Sequence, residues 1–305
     1  DDGRYVVGTI INSSWQYQNI LWDAQANTIT NLGTFGGAEG RAFAVSADGA
    51  TVAGYAFSSA GPYYAYRWTQ SSGLVSSGVP YSWAYGISAN GQTVVGLYYT
   101  TGARAFRWRG SNFEEIGIGA AYACSADGSI VVGITFDANN QQKAFVWREG
   151  QGMHILPDFG NIATANDISD DGGVIVGEAT LPGAGRRATR WTTSGIEDLN
   201  TTYASLLADG STLITATRVS ADGRFIVGMG QRAGVFEGFL LDTQSCAAHN
   251  GDVDNTTCVD DADLLAVLFA FGQSGQDLGR VDVNCDGVVD DADLLIVLFN
   301  FGSGC

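Results

Sequence analysis

Near the C-terminus, oxygen-bearing residues recur at alternate positions. The fullest set is Asp282, Asn284, Asp286, Val288, Asp290 and Asp293, with Gly287 at the sixth place of the twelve. Alternating oxygens at this spacing wrap a hard cation, the seventh residue lends its carbonyl, and the carboxylate at place twelve closes the shell from a following helix. Glycine at place six permits the sharp turn. The cation so specified is Ca2+. Thirty residues earlier the pattern returns as Asp252, Asp254, Thr256, Cys258 through its carbonyl, Asp260 and Asp263. Here Thr257 stands at place six, and a β-branched residue is strained at positive φ. Two Ca2+ sites are therefore expected, the first weaker. Without cations the carboxylates would repel one another, so metal binding should contribute folding energy.

The elements that position these ligands are duplicated, 251–272 matching 281–302. Each loop leads into a short helix, with cores LLAVLFAF at 264–271 and LLIVLFNF at 294–301. A helix apolar all round needs a cover beyond its twin, either from its own chain or from another molecule. Two EF-hand-like loops, each with one helix, resemble a type I dockerin over 246–305. That resemblance implies docking to a cohesin-type receptor. The pairs at places ten and eleven, Asp261-Ala262 and Asp291-Ala292, are identical, which would allow two equivalent orientations. Cys246, Cys258, Cys285 and Cys305 lie in this segment and suggest two disulfides in an oxidising compartment. Four cysteines allow three pairings. Antiparallel packing of the halves favours Cys258–Cys285 between the loops and Cys246–Cys305 as a terminal clasp.

Charge divides the chain at the same place. Of its 305 residues, 246–305 include 11 Asp and one Arg, whereas 1–245 carry 21 acids against 14 bases. A net charge of −17 leaves no basic stripe for nucleic acid. It also disfavours an anionic membrane surface, and no apolar run is long enough to span a bilayer. The start at Asp1-Asp2-Gly3 falls inside a repeat, so a removed upstream segment is expected. The 42 glycines, 4 prolines and single lysine, Lys143, mark a turn-rich β protein.

Residues 1–245 repeat at about 40 residues. A turn followed by a β-branched run recurs as DDGRYVVG (1–8), SADGATVAG (46–54), SANGQTVVG (88–96), SADGSIVVG (125–133), SDDGGVIVG (169–177) and SADGRFIVG (220–228). A second box follows each, among them AYRW (65–68), AFRW (105–108), AFVW (144–147) and ATRW (188–191). Asp-Gly or Asn-Gly between alternating residues specifies a hairpin. Three or four strands per unit give a β-propeller of about six repeats, with the tryptophan packed between sheets. Arg104-Ala105-Phe106 and Lys143-Ala144-Phe145 resemble the signature of the bacterial extracellular His-Ala-Phe (HAF) repeat family, without its histidine. The resemblance implies a propeller and export. Five units have a strand before the turn and the first has none, so either the two ends complete one blade or a slot stays open.

Catalytic motifs are missing: no G-x-S-x-G, no H-E-x-x-H, no phosphate loop, and only His154 and His249, read as rim and linker residues. Cys124 stands where other units have Val45, Ile87, Ile168 and Val219, and reads as a buried thiol. Trp15, Tyr17, Tyr63, Tyr64, Tyr81, Trp83, Tyr98 and Tyr99 fall outside the repeat pattern and could stack on sugars. Asn12, Asn200 and Asn255 begin glycosylation sequons. The reading is a mainly β chain with a propeller at 1–245 and a small α-helical calcium module at 246–305. Its expected role is a secreted or cell-surface structural protein without catalytic residues, assembling head to tail into a filament. Alternatives are a carbohydrate-binding subunit docked to a cohesin-like scaffold and a propeller hydrolase.

Overall fold

The computed structural model describes residues 3–207, 209–243, 249–275 and 278–305. Strands dominate it up to Asp242 and form six antiparallel sheets in chain order. Sheet one is β1 (Tyr5–Ile11), β2 (Tyr17–Asp23) and β3 (Thr28–Asn31). Sheet two is β4 (Gly36–Val45), β5 (Thr51–Ser58), β6 (Tyr63–Thr69) and β7 (Gly73–Pro80). Sheet three is β8 (Ser82–Ile87), β9 (Thr93–Tyr99), β10 (Ala103–Arg109) and β11 (Asn112–Ile118). Sheet four is β12 (Ala120–Cys124), β13 (Ile130–Phe136), β14 (Gln142–Arg148) and β15 (Gly152–Ile155). Sheet five is β16 (Ala163–Ile168), β17 (Ile175–Leu181), β18 (Gly185–Thr192) and β19 (Gly195–Asp198). Sheet six is β20 (Thr212–Val219), β21 (Phe225–Arg232) and β22 (Val235–Asp242).

The repeated turn explains the stacking. In sheet two, Ser46 Oγ donates to Asp48 and accepts from Thr51 N at 3.0 Å, while Ala50 N donates to Asp48 Oδ1 at 2.9 Å. The same closure recurs at Ser88/Asn90, Ser125/Asp127, Ser169/Asp171 and Ser220/Asp222. These acids serve the backbone, and in four of the turns hydrogen bonding holds the aspartate below the usual carboxylate range. Backbone bonds then run from turn to turn, from Ala47 N to Ala89 O, Asn90 N to Ala126 O, Ala126 N to Asp170 O and Asp170 N to Ala221 O. They make a belt around one axis, with β4, β8, β12, β16 and β20 innermost.

The second glycine of each anchor has a different task. Each inner strand carries a bulge after an alanine, as at Ala42/Ala44, Ala84/Gly86 and Ala121/Ala123. A Cβ on Gly54, Gly96, Gly133, Gly177 or Gly228 would overlap the inner strand's carbonyl oxygen. Gly8 lies in the sheet without an inner strand and meets nothing within 4 Å.

Apolar faces fill the gaps between sheets. Trp147 packs with Val95 and Ala105 of the preceding sheet, and Trp191 with Val132 and Val146. Trp68, Trp108, Trp147 and Trp191 are all buried, whereas Trp22 of sheet one is 36% exposed. Of the two ways of ending the array, the ends do not combine among the described residues, where sheet one lacks an inner strand and sheet six an outer one. Among the described residues no hydrogen bond joins these two sheets.

Beyond the sheets lie α2 (Asp261–Ala270) and α3 (Asp291–Phe299), after a one-turn α1 (Leu199–Thr202). Val267, Ala270 and Val297 of the two helices close a small core with Val259, Val283 and Val289. The segment after α2 lies along the second loop, where Gly272 N donates to Val289 O at 2.8 Å and Gly275 N to Gly287 O at 3.0 Å. The segment after α3 lies along the first, where Gly302 N donates to Val259 O at 2.8 Å. This exchange corrects the expected disulfides. Cys305 is carried to the first loop and bonds Cys258, with Cα atoms 4.6 Å apart, so neither Cys258–Cys285 nor Cys246–Cys305 forms. Cys285 is also disulfide-bonded, and Cys246 lies outside the described residues.

Candidate functional site: an axial cavity and two acidic loops

The inner-strand bulges aim side chains at the axis. Aligned through the repeat, the first aimed residue is Phe43, Tyr85, Tyr122, Asn166 and Thr217, and the second is Ala44, Gly86, Ala123, Asp167 and Arg218. Three sheets thus present an aromatic beside a small residue. The last two present polar groups. Between them is a cavity of about 390 Å³, continuous in its lining with a smaller one of about 230 Å³ at Phe43, Tyr85, Tyr122, Asn166 and Arg218.

On the aromatic side Phe43 and Tyr85 lie 5.5 Å apart between ring centres, and Tyr85 and Tyr122 5.7 Å. On the polar side Asp167 accepts from Val219 N at 2.9 Å, and Asn166 donates to Ala216 O at 2.9 Å, so both tie β16 to β20. Desolvation pushes the Asp167 carboxyl up to about 6, against the opposing pull of the Val219 amide and Arg218. Arg218 donates to the neighbouring Thr217 O at 2.7 Å and forms no salt bridge among the described residues. A carboxyl that exchanges a proton near neutrality, beside a guanidinium, can both bind a polar ligand and act as acid or base. Cys124 lines the same cavity as a free thiol, and burial pushes it up to about 12, away from nucleophilic use. Sequence reading missed Asp167 and Arg218. The signal was there: they replace Ala or Gly of the other units.

The two acidic loops share one construction. Asp252 accepts from Thr256 N and Thr257 N, each at 3.0 Å, and Asp282 from Asp286 N at 3.2 Å and Gly287 N at 2.9 Å. Asp263 accepts from Val253 N at 2.6 Å and Asp260 N at 2.9 Å, and Asp293 from Asn284 N at 3.0 Å and Asp290 N at 2.9 Å. Asp260 and Asp290 cap α2 and α3. Carboxylate oxygens of Asp252, Asp254 and Asp263 lie within 4.8 Å of one another. Asp263 and Asp293 are fully buried. In the first loop the residual lone pairs of Asp263 converge with those of Asp252 and Asp254, a donor set that fits a hard cation. Thr257 takes the left-handed conformation, φ 76°, that Gly287 takes at φ 88°. Thr256 Oγ is turned to Cys258 O at 3.2 Å, and Val288 bridges to Ser274.

Neither histidine lines the axial cavity. His154 is exposed on β15. His249 accepts from Gly251 N through Nδ1 at 3.1 Å and reaches Arg280 O through Nε2 at 2.8 Å. Asn200 spends its amide on Leu213, donating to its O at 2.9 Å and accepting from its N at 2.7 Å, which leaves no free amide for a glycan. Asn12 is hydrogen-bonded within its turn, and Asn255 is exposed.

No protein family and no curated protein matches the sequence. Solved structures match the fold, and they are β-propeller proteins. The propeller domain of the trilobed protease from Pyrococcus furiosus, which has an open velcro topology, aligns with a TM-score of 0.55 at 12% identity, covering 79% of each chain. Pyrococcus horikoshii acylaminoacyl peptidase aligns at 0.53 and 10%, over 79% of this chain and 42% of its own. TolB from Acinetobacter baumannii aligns at 0.51 and 13%, over 80% and 62%. The chain thus spans less than two thirds of two of these proteins, and at such identity the likeness is one of fold. It nevertheless corrects the expectation of a non-enzymatic filament protein. The propellers that this chain resembles include those of a protease and a peptidase, so the missing motifs do not exclude enzymatic work.

Proposed function

We propose that this chain handles substrate for hydrolysis outside the cell, as a propeller of the HAF type at 1–245, and is attached through a calcium-organised, dockerin-like module at 246–305. The observation that carries the reading is the break of the repeat at Asn166-Asp167 and Thr217-Arg218, facing Phe43, Tyr85 and Tyr122. Asp167 is the group that exchanges a proton with the substrate, and Arg218 is the donor that holds a substrate oxygen. The two loops would each hold one Ca2+, through Asp252, Asp254, Asp260 and Asp263 and through Asp282, Asn284, Asp286, Asp290 and Asp293. Calcium there organises the attachment module and takes no part in the reaction.

The attachment reading is supported by a paired apolar surface. Leu265, Leu268, Phe269 and Phe271 recur as Leu295, Leu298, Phe299 and Phe301, with Phe269 and Phe299 each 84% exposed. A cohesin-type receptor is its expected partner. Hydrolysis is tested with panels of peptides and soluble oligosaccharides against the full chain in calcium. Asp167→Asn should lower turnover by a factor of about 10² to 10⁴, and Arg218→Ala should raise KM. Turnover that is absent from both panels, or unchanged in Asp167→Asn, would overturn the reading.

A further inference from the structure

Three tyrosines stand side by side where β6 begins, β8 is entered and β9 ends. Tyr81 N donates to Tyr63 O at 2.8 Å, and Tyr99 N donates to Tyr81 O at 3.1 Å. Trp83 packs behind them, with ring centres 4.4 Å from Tyr63 and 5.5 Å from Tyr99, and Tyr81 lies 5.5 Å from Tyr63. The rings continue inward without a break, from Trp83 to Tyr55 at 6.2 Å, Tyr55 to Phe43 at 5.8 Å, and Phe43 to Tyr85 and Tyr122 in the cavity wall. The other sheets have no such wall. Where sheet three has Trp83, the aligned residues are Arg41, Ala120, Thr164 and Thr215.

We propose that this wall binds a neutral polysaccharide and leads one end of it into the axial cavity. The inference names the substrate class of the proposed hydrolytic site, and rests on that reading for the reaction but not for the binding. Tyr81 and Tyr99, at 50% and 49%, are the most exposed rings in the row. Tyr81 is held at φ 56°, a left-handed backbone that is strained for a bulky residue. Such strain holds a ring outward that the fold itself does not need. Tyrosine and tryptophan give large, rigid, amphipathic area at low entropic cost. Their faces take the C–H face of a sugar ring, and the tyrosine hydroxyls and Asn166 take its rim. A lipid or apolar peptide would be met by aliphatic side chains instead, and the net charge of −17 repels polyanions.

The test is affinity electrophoresis of the full chain in calcium through gels containing hydroxyethylcellulose, xylan, starch or galactomannan. At least one polymer should retard the protein. Tyr81→Gly removes the ring while suiting the left-handed backbone, so folding is not at risk. It and Tyr99→Ala should each weaken retardation at least tenfold, and Tyr81→Phe should retain it. No retardation in any gel, or retardation unchanged in the Tyr81→Gly/Tyr99→Ala double variant, overturns the inference. Asp167→Asn separates the two readings. Tyr81-dependent retardation without Asp167-dependent cleavage removes the hydrolytic reading and keeps this one. Asp167-dependent cleavage of peptides without retardation does the reverse.

Discussion

At Asp167 the fold accepts a cost that reports on the cavity. Its carboxyl is raised to about 6 from 3.8, chiefly by desolvation. A raised carboxyl contributes stability that is fully present below the unfolded value and lost as pH rises through the folded one. The loss spans pH 4 to 6 and amounts to at most ~3 kcal/mol. Asparagine keeps an acceptor for Val219 N and has no proton to lose. Urea midpoints of Asp167→Asn should therefore match the parent near pH 4 and exceed it at pH 7. Parallel curves across that range would remove Asp167 from its desolvated position. Thr257 carries a cost of another kind, a left-handed backbone where its twin is glycine. Relief in Thr257→Gly is worth about 1–2 kcal/mol, so calcium should bind the first loop roughly tenfold tighter by calorimetry. An unchanged isotherm would place the weakness of that loop elsewhere.

Among the elements, inner strand and anchor glycine form one device. The bulge brings the inner carbonyl so close that Gly133 has no room for a Cβ, whereas Gly8 has no inner strand above it. Gly133→Ala should destabilise the chain by about 1–3 kcal/mol, and Gly8→Ala by within about 0.5 kcal/mol, both read by thermal melting. Equal effects would mean that helix and strand propensity, not close approach, selects these glycines. The same device explains what the sequence revealed and what it hid. Turn chemistry and calcium-loop spacing are local, so SADG turns and the Asp282–Asp293 pattern were legible residue by residue. The Cys258–Cys305 bond depends on each half's tail crossing to the other loop, which spacing alone does not encode. Asp167 and Arg218 meet only when five inner strands are stacked. Their departure from the repeat was visible, but its meaning required the axis.

For the whole molecule, the question is whether sheets and acidic loops stand independently. The sheets draw their cohesion from tryptophans between blades and from the turn-to-turn belt, neither of which involves the loops. The acidic segment has a small core of valines and two helices whose outer sides face solvent. Four of its carboxylates, Asp252, Asp263, Asp282 and Asp293, are buried, and backbone N–H donors alone do not offset the mutual repulsion of Asp252, Asp254 and Asp263. A cation would, so its removal should fall on this segment alone. Residues 249–305 contain neither tryptophan nor tyrosine, which makes the two parts optically separable. Excess EGTA should lower the helical circular dichroism and open 249–305 to protease. Trp68, Trp108, Trp147 and Trp191 should keep their fluorescence, and the main melting transition should persist. Restoring calcium should raise the melting temperature of the segment with each increment of free ion, as binding to the folded state alone requires. An unchanged protease pattern in EGTA would show that the carboxylates are held by the backbone without metal. Loss of the tryptophan signal with the helical one would show instead that the sheets depend on the segment behind them.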